Sequence, residues 1–218
     1  MERNPSVSRS RFKLARIGRM GQRKLFTNDV SFPAGMVYQP EFITVADEAA
    51  LVAEILNLPL QEAKYKEFTA KRRIISYGGS YDFSSNELLP ASPIPAFLHP
   101  LRNHISDWVA VPASDFMHAL IAEYQPGTQL GWHRDVPEFE IVVGVSLGTA
   151  CRMRFRRFPH VKGDRESLSM DLDPRSAYVL RGQARWAFQH SIPPTKALRY
   201  SITFRTRRRS QEVKLQNR

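Results

Sequence analysis

Apolar positions along the chain form two helical stripes, followed by a series of short alternating runs. From Thr44, the residues Leu51, Val52, Ile55 and Leu56 recur at the spacing of one helix face. This predicts a helix capped by Thr44, favoured at its positive end by Asp47 and Glu48, and closed off by Pro59. A second helix is predicted from Pro95 to Trp108, with Phe97, Leu98, Leu101, Ile105 and Trp108 facing inward. After these helices the period shortens to two. Ile141 to Leu147 is rich in β-branched residues, and Arg152 to Phe158 alternates basic with apolar until Arg157. That alternation sends Met153 and Phe155 to the core and turns Arg152, Arg154 and Arg156 outward. Ser176 to Leu180 and Leu198 to Arg205 continue the series.

Helices first and many short strands later predict an α+β fold. Its antiparallel strands form a sheet sandwich of jelly-roll type, a double-stranded β-helix, buttressed by the N-terminal helices. Residues 1–27 lack hydrophobic periodicity and read as a flexible basic arm. The folded domain is expected over 28–206, taking shape near Val30, with 207–218 as a basic tail. No internal repeat is visible.

Composition narrows the picture. The 218 residues suffice for one domain with its own core. No apolar run is long enough to cross a bilayer, and no apolar stretch of signal-peptide length follows the N-terminal charges. A cytoplasmic monomer is expected. The single cysteine, Cys151, excludes an internal disulfide and a Cys-rich zinc site, and reads as a small buried filler. Against 21 Asp and Glu stand 32 Lys and Arg, a formal charge of +11. Much of the excess lies at the ends, in Arg3, Arg9, Arg11, Lys13, Arg16, Arg19, Arg23 and Lys24, and again from Arg205 onward. A polyanionic partner accounts for this. So does a simple need for solubility.

The sharpest chemical signal is Trp132-His133-Arg134-Asp135. On an extended backbone His133 and Asp135 leave the same face, offering two corners of a metal site. His190 follows much later, before the turn-forming Ile192-Pro193-Pro194. Two histidines and one carboxylate form the ligand set of non-haem iron(II) oxygenases, which keeps other coordination positions open. His99, His104, His118 and His160 read as core or surface residues. In the segment Arg199-Tyr200-Ser201-Ile202-Thr203-Phe204-Arg205, strand alternation puts both arginines, Ser201 and Thr203 on one face. Two arginines pointing into one space call for an anion, and a small dicarboxylate would meet both forks.

Together these motifs resemble the AlkB family of 2-oxoglutarate dioxygenases. The resemblance runs from about Arg72 to Arg205 and rests on residues in this order: Tyr124, Pro126 and Gly127; His133 and Asp135; Val145-Ser146-Leu147; Met153-Arg154-Phe155-Arg156; Gly182; His190; and the Arg199–Arg205 strand. It implies that His133, Asp135 and His190 hold iron(II). It further implies that Arg199 meets the distal carboxylate of 2-oxoglutarate, that Arg205 lies nearer its metal-chelating end, and that Tyr124 donates its hydroxyl to the co-substrate. Ser201 joins that co-substrate set. Two departures stand out: Ala122 and Ser201 occupy positions where bacterial AlkB has asparagine. The implied reaction consumes dioxygen, turns 2-oxoglutarate into succinate and carbon dioxide, and hydroxylates a methyl group on a base nitrogen, which then leaves as formaldehyde.

Such an oxidant cannot reach into an intact base stack, so a single-stranded or flipped alkylated base in DNA or RNA is the expected substrate. In the resembling family, the segment corresponding to Lys71–Phe83 forms a flexible lid. Here it would supply its arginines, Arg73 above all, to phosphates, with Tyr77 and Tyr81 either stacking on bases or packing at a hairpin rim. Trp132 either lines the base pocket or belongs to the core. The arginines from 152 to 157 give a second backbone-contacting stripe or a solvated face. Two other functions use the same residues: hydroxylation of a tRNA base or protein side chain, and non-catalytic nucleic-acid binding. The complete ligand set argues against the last.

Overall fold

The structure is a computed structural model. It describes residues 32–65, 68–82, 85, 87–163 and 167–208. The expected basic arm over 1–27, the start near Val30 and the tail beyond 208 lie outside the described residues. The chain runs β1 (Met36–Gln39), α1 (Val45–Leu56), β2 (Gln61–Tyr65), β3 (Phe68–Tyr77), β4 (Ser80–Asp82), β5 (Glu87–Leu89) and α2 (His99–Val109). It continues β6 (Phe116–Tyr124), β7 (Leu130–His133), β8 (Phe139–Gly148), β9 (Cys151–Arg157) and β10 (Leu168–Leu172). It ends β11 (Ala177–Leu180), α3 (Gly182–Trp186), β12 (Phe188–Ile192) and β13 (Arg199–Arg207).

The strands form a seven-stranded sheet of order β1-β11-β8-β13-β6-β3-β2 and a four-stranded sheet of order β10-β9-β12-β7, with β4-β5 as a separate pair. The pairings are antiparallel. Mostly antiparallel strands with few helices make this the predicted jelly-roll type of fold. Strand β13 is central, paired with β6 on one side and β8 on the other. Its alternation decides both cores. Tyr200, Ile202 and Phe204 face the helices, joining Leu51, Ile55, Leu98, Leu101, Ile105 and Val109 in one apolar cluster. Arg199, Ser201, Thr203 and Arg205 face the smaller sheet. Its Met153, Phe155, Leu172, Phe188 and Ile192 pack with Ala122, Tyr124, Val142 and Leu180 from the larger one.

Helix α1 begins as the sequence predicts. The Asp47 amide donates to the Thr44 hydroxyl at 3.1 Å, and the Thr44 amide donates to the Asp47 carboxylate at 3.0 Å, a reciprocal capping box. Glu48 then stitches the helix to the sheet. It accepts from the Gly148 amide at 2.7 Å and from Arg175 at 3.1 Å.

Three details differ from expectation. Leu56 is 66% exposed, because the stripe turns off the sheet in the last turn of α1. The second helix proper starts at His99 after a 3-10 turn over Ala96–Leu98, and ends where Ala110 adopts a left-handed φ of 54°. Arg154 and Arg156 are only half-exposed, since each lays its side chain across the neighbouring strand β12.

Thr44→Ala should lower the unfolding free energy by about 1 kcal/mol, whereas Leu56→Ser should stay within about 0.5 kcal/mol of the parent. Urea denaturation measures both. A loss at Leu56 as large as that at Thr44 would contradict this packing.

Candidate metal centre

Strand β7 lies at the edge of the smaller sheet and pairs with β12 so that His133 and His190 stand directly opposite. Their ring centroids are 4.2 Å apart. Asp135 follows two residues beyond His133, and one ligand atom from each of the three lies within 4.8 Å of the others. Nδ1 of His133 is 2.9 Å from the Gly131 carbonyl oxygen. A carbonyl only accepts, so Nδ1 carries the proton and Nε2 is left with its lone pair for a metal. Nε2 of His190 is 3.7 Å from Oδ2 of Asp135. Burial pushes the His190 imidazole down to about 3, with His133 adding to the effect. It lowers His133 as well. Both rings are therefore neutral near pH 7, the state a metal requires.

Asp135 is buried, which alone would raise its pKa. Arg205 outweighs that cost and holds the carboxyl well below the usual range. Nε of Arg205 donates to Oδ1 of Asp135 at 2.8 Å, and Nη2 forms an ion pair with the same oxygen at 2.8 Å. Nη1 of Arg205 lies 3.3 Å from Nδ1 of His118. The anion that Arg205 meets here is thus the candidate ligand carboxylate itself. Arg199 differs. It is 1% exposed, its Nε donates to the Ser146 hydroxyl at 3.1 Å, and its Nη1 is buried with no hydrogen-bond partner among the described residues. Its guanidinium carbon lies 5.0 Å from the centre of the Tyr124 ring. No carboxylate pairs with it among the described residues, although a buried unpaired cation is costly. An incoming carboxylate would satisfy it. The residues present therefore fit both a metal bound by two nitrogens and one oxygen and an anionic co-substrate.

The other predicted site residues divide. Tyr124 and Ser201 face the same space as Arg199, Tyr124 through its pairing with Arg199 and Ser201 opposite Ser146. Arg73 and Tyr77 do not. β3 pairs with β6 so that Arg73 stands opposite Glu123 and Tyr77 opposite Ala119, on the helix side of the sheet. Arg73 donates to the buried Glu123 carboxylate at 2.8 Å through both Nε and Nη2, and Tyr77 is buried in the helix-side core. Neither can serve the pocket. Nor is the whole 71–83 segment a lid, because it is sheet through Tyr77. Gly78 then turns with φ of 76°, where an added Cβ would collide with the Met117 carbonyl. Tyr81 lies partly buried on the β4-β5 pair. Trp132 points opposite to His133, its ring beside Arg154 and Arg156 on the outer face of the smaller sheet.

Three residues facing the site escaped the sequence reading, and a fourth, Arg72, enters it only as one of the segment's phosphate-facing arginines. Arg72, on the inner face of β3, acts electrostatically on His133, and its buried Nε has no partner among the described residues. His118 supports Arg205. Tyr178 crosses Gly144, where any Cβ would collide with its ring. Burial pushes the Tyr178 hydroxyl up, with Asp135 adding to the effect. Arg185 is 2% exposed, and its Nη2 donates to the carbonyls of Asp135, Val136 and Phe139 at 3.0, 2.7 and 3.0 Å, clamping the loop that carries the ligand.

These buried imidazoles make the metal-free protein acid-sensitive. His118, like His190, is driven to about 3 by burial, from an ordinary value of 6.5. Between those limits the unfolded chain binds protons that the folded chain refuses. The stabilisation is therefore complete above about 6.5 and lost as pH falls toward 3. At pH 5 the loss should be roughly 2 kcal/mol for each of the two histidines. Urea titrations of metal-free protein at neutral pH and at pH 5 measure it, and equal midpoints would contradict the burial.

Comparison with known proteins agrees with this geometry. A profile described as the 2OG-Fe(II) oxygenase superfamily matches residues 35–208. The chain is 28% identical over 194 residues to "Alkylated DNA repair protein ALKBH8 homolog" of Arabidopsis thaliana, covering 79% of this chain but only 54% of that protein. It is 24% identical over 169 residues to "Probable RNA/DNA demethylase ALKBH6" of Danio rerio, covering 73% and 70% respectively. The solved structure of OsALKBH1 superposes with a TM-score of 0.59 at 17% identity, over 81% of this chain and 98% of that one, a likeness of fold. The chain belongs to the 2OG-Fe(II) oxygenase superfamily and is a dioxygenase of its AlkB type, working with iron(II), 2-oxoglutarate and dioxygen.

Proposed function

We propose that this dioxygenase removes methyl groups from the bases of single-stranded nucleic acid, with His133, Asp135 and His190 as the iron ligands. In this reading Arg199 receives the distal carboxylate of 2-oxoglutarate. Tyr124, Ser146 and Ser201 line the same face beside it. Arg205 keeps Asp135 ionised and oriented, with its other face toward the metal-chelating end of the co-substrate.

The observation that carries the reading is that two of the unsatisfied buried guanidinium nitrogens, Nη1 of Arg199 and Nε of Arg72, belong to residues on the inner face of the larger sheet, unlike Nε of Arg102 on α2 and Nε of Arg185, whose Nη2 is bonded to loop carbonyls. The first two mark anion-seeking positions, one deep between the sheets and one beside His133. The deep one suits a small dicarboxylate. The one beside His133 suits the phosphate or carbonyl oxygens of a nucleotide whose base lies at the metal. The names carried by the plant and fish relatives, alkylated DNA repair and RNA/DNA demethylation, point to the same substrate class.

Iron(II), when bound together with 2-oxoglutarate, supplies the oxidation: dioxygen is consumed, 2-oxoglutarate leaves as succinate and carbon dioxide, and a methyl C–H becomes C–OH. The N–CH2OH group so formed breaks its C–N bond, returning the proton to the base nitrogen and releasing formaldehyde. The protein's part is positional. Arg205, itself met by His118, holds Asp135 from behind, Arg185 fixes the backbone after it, and the apolar cluster between the sheets keeps that space dry.

The direct test follows succinate and methyl loss by mass spectrometry, using protein with iron(II), 2-oxoglutarate and a single-stranded oligonucleotide carrying 1-methyladenine. Coupled formation of succinate and demethylated base is expected, and His133→Ala should abolish both while leaving the fold intact. Succinate without demethylation would overturn the substrate and redirect attention to a hydroxylated base or protein side chain. Arg199→Ala should raise the 2-oxoglutarate requirement on the order of 100-fold, with little change in the oligonucleotide requirement. The reverse pattern would assign Arg199 to the substrate.

A further inference from the structure

The outer face of the four-stranded sheet carries a second, unneutralised basic surface. Arg154 and Arg156 alternate with the buried Met153 and Phe155 on β9, so both project away from the metal centre. Each leans across β12. Nε of Arg154 donates to the Ser191 hydroxyl at 3.2 Å, and Nε of Arg156 donates to the Gln189 side-chain oxygen at 2.8 Å. Both guanidiniums then reach the Trp132 ring on β7, at 5.1 and 4.6 Å from its centre. The row passes round the sheet edge to Arg134, which stacks 3.6 Å from the Phe158 ring centre and lies between the candidate ligands His133 and Asp135.

We propose that this row binds the phosphate backbone of single-stranded nucleic acid flanking the base held at the metal. The inference rests on the nucleic-acid reading above. Three features separate the row from an ordinary solvated face. The guanidiniums of Arg154 and Arg156 are each held in place through Nε and an aromatic ring, and Arg134 is held by the Phe158 ring and by its Nη1 donating to the Trp186 carbonyl at 3.1 Å, so the row is set before any ligand arrives. Arg152, the next outward residue, is instead neutralised by Asp171 at 2.9 Å. No carboxylate pairs with Arg154, Arg156 or Arg134 among the described residues. Finally, two residues apart on a strand is about 6.7 Å, comparable with the spacing of successive phosphates on an extended strand. Contacts of this kind position a backbone without reading its sequence.

The test uses the full chain with its metal and 2-oxoglutarate. Binding of unmodified oligothymidylate and oligouridylate is followed by fluorescence anisotropy across a salt series, for the parent, Arg156→Gln and the Arg154→Gln/Arg156→Gln pair. The double variant should bind both oligomers about tenfold more weakly, and its slope of log affinity against log salt should shrink by about 1.4, half of that in the single variant. Demethylation of 1-methyladenosine 5′-phosphate, too short to reach the row, should be unchanged, which also reports an intact fold. A parent slope retained in both variants would overturn the proposal while leaving the nucleic-acid reading in place. Weakening confined to one oligomer, or equally tight binding of polyglutamate, would also overturn it. A parent that binds neither oligomer would remove the nucleic-acid reading and the row together.

Discussion

A carboxylate enclosed between two sheets must be met by a cation, and Asp135 is met by Arg205 at 2.8 Å. The rest of the site is organised around that contact. Asp135 sits just beyond the edge of the smaller sheet, Arg205 on the central strand of the larger one, so the pair joins the two layers at the metal end. It also divides the carboxylate's work. Oδ1 faces two guanidinium nitrogens, one donating to it, and Oδ2 is turned toward His190 at 3.7 Å. The buried His118 ring next to Arg205 stays neutral and so adds no competing charge. A buried pair of this kind need not stabilise the fold much. It specifies where one oxygen points, which is what a ligand needs.

What could be read in the sequence and what could not follows from the range of the interactions involved. The start of α1 was legible because its cap is local: Thr44 and Asp47 are three residues apart and bond each other. The two faces of β13 were legible because alternation alone separates Arg199, Ser201, Thr203 and Arg205 from Tyr200, Ile202 and Phe204. The same argument misled on β3. Which face of a strand meets the pocket depends on its register with a neighbour, and a shift of one residue exchanges the two sets. Pairing of Arg73 with Glu123 puts the odd-numbered residues of β3 on the helix side and Arg72, Ile74 and Ser76 inside. An arginine therefore does reach the metal centre from that segment, but it is the neighbour of the one expected.

Residues that act through backbone groups were wholly hidden. Arg185 has no side-chain partner among the described residues other than the Trp186 ring, and its guanidinium hydrogens go to three carbonyls more than forty positions earlier. Nothing in residue type or spacing announces a carbonyl. Tyr178 was hidden for a related reason. Its place over the site depends on a glycine in the adjacent strand, Gly144, which reads in the sequence only as a gap in a β-branched run.

Arginine does three different jobs in this small fold, and burial decides between them. Arg205 and Arg185 are buried with protein oxygens already in place, and so act on geometry. Arg199 is buried with only the Ser146 hydroxyl donated to, no carboxylate or carbonyl set against it among the described residues, and its Nη1 without a partner, so it is open to an anion. Arg154 and Arg156 sit at the surface, where water satisfies any charge cheaply. Only their anchoring to Trp132, Ser191 and Gln189 gives them a role beyond solubility. The same side chain is thus structural, open to an anion, or available for recognition, according to what the protein has already set against its nitrogens.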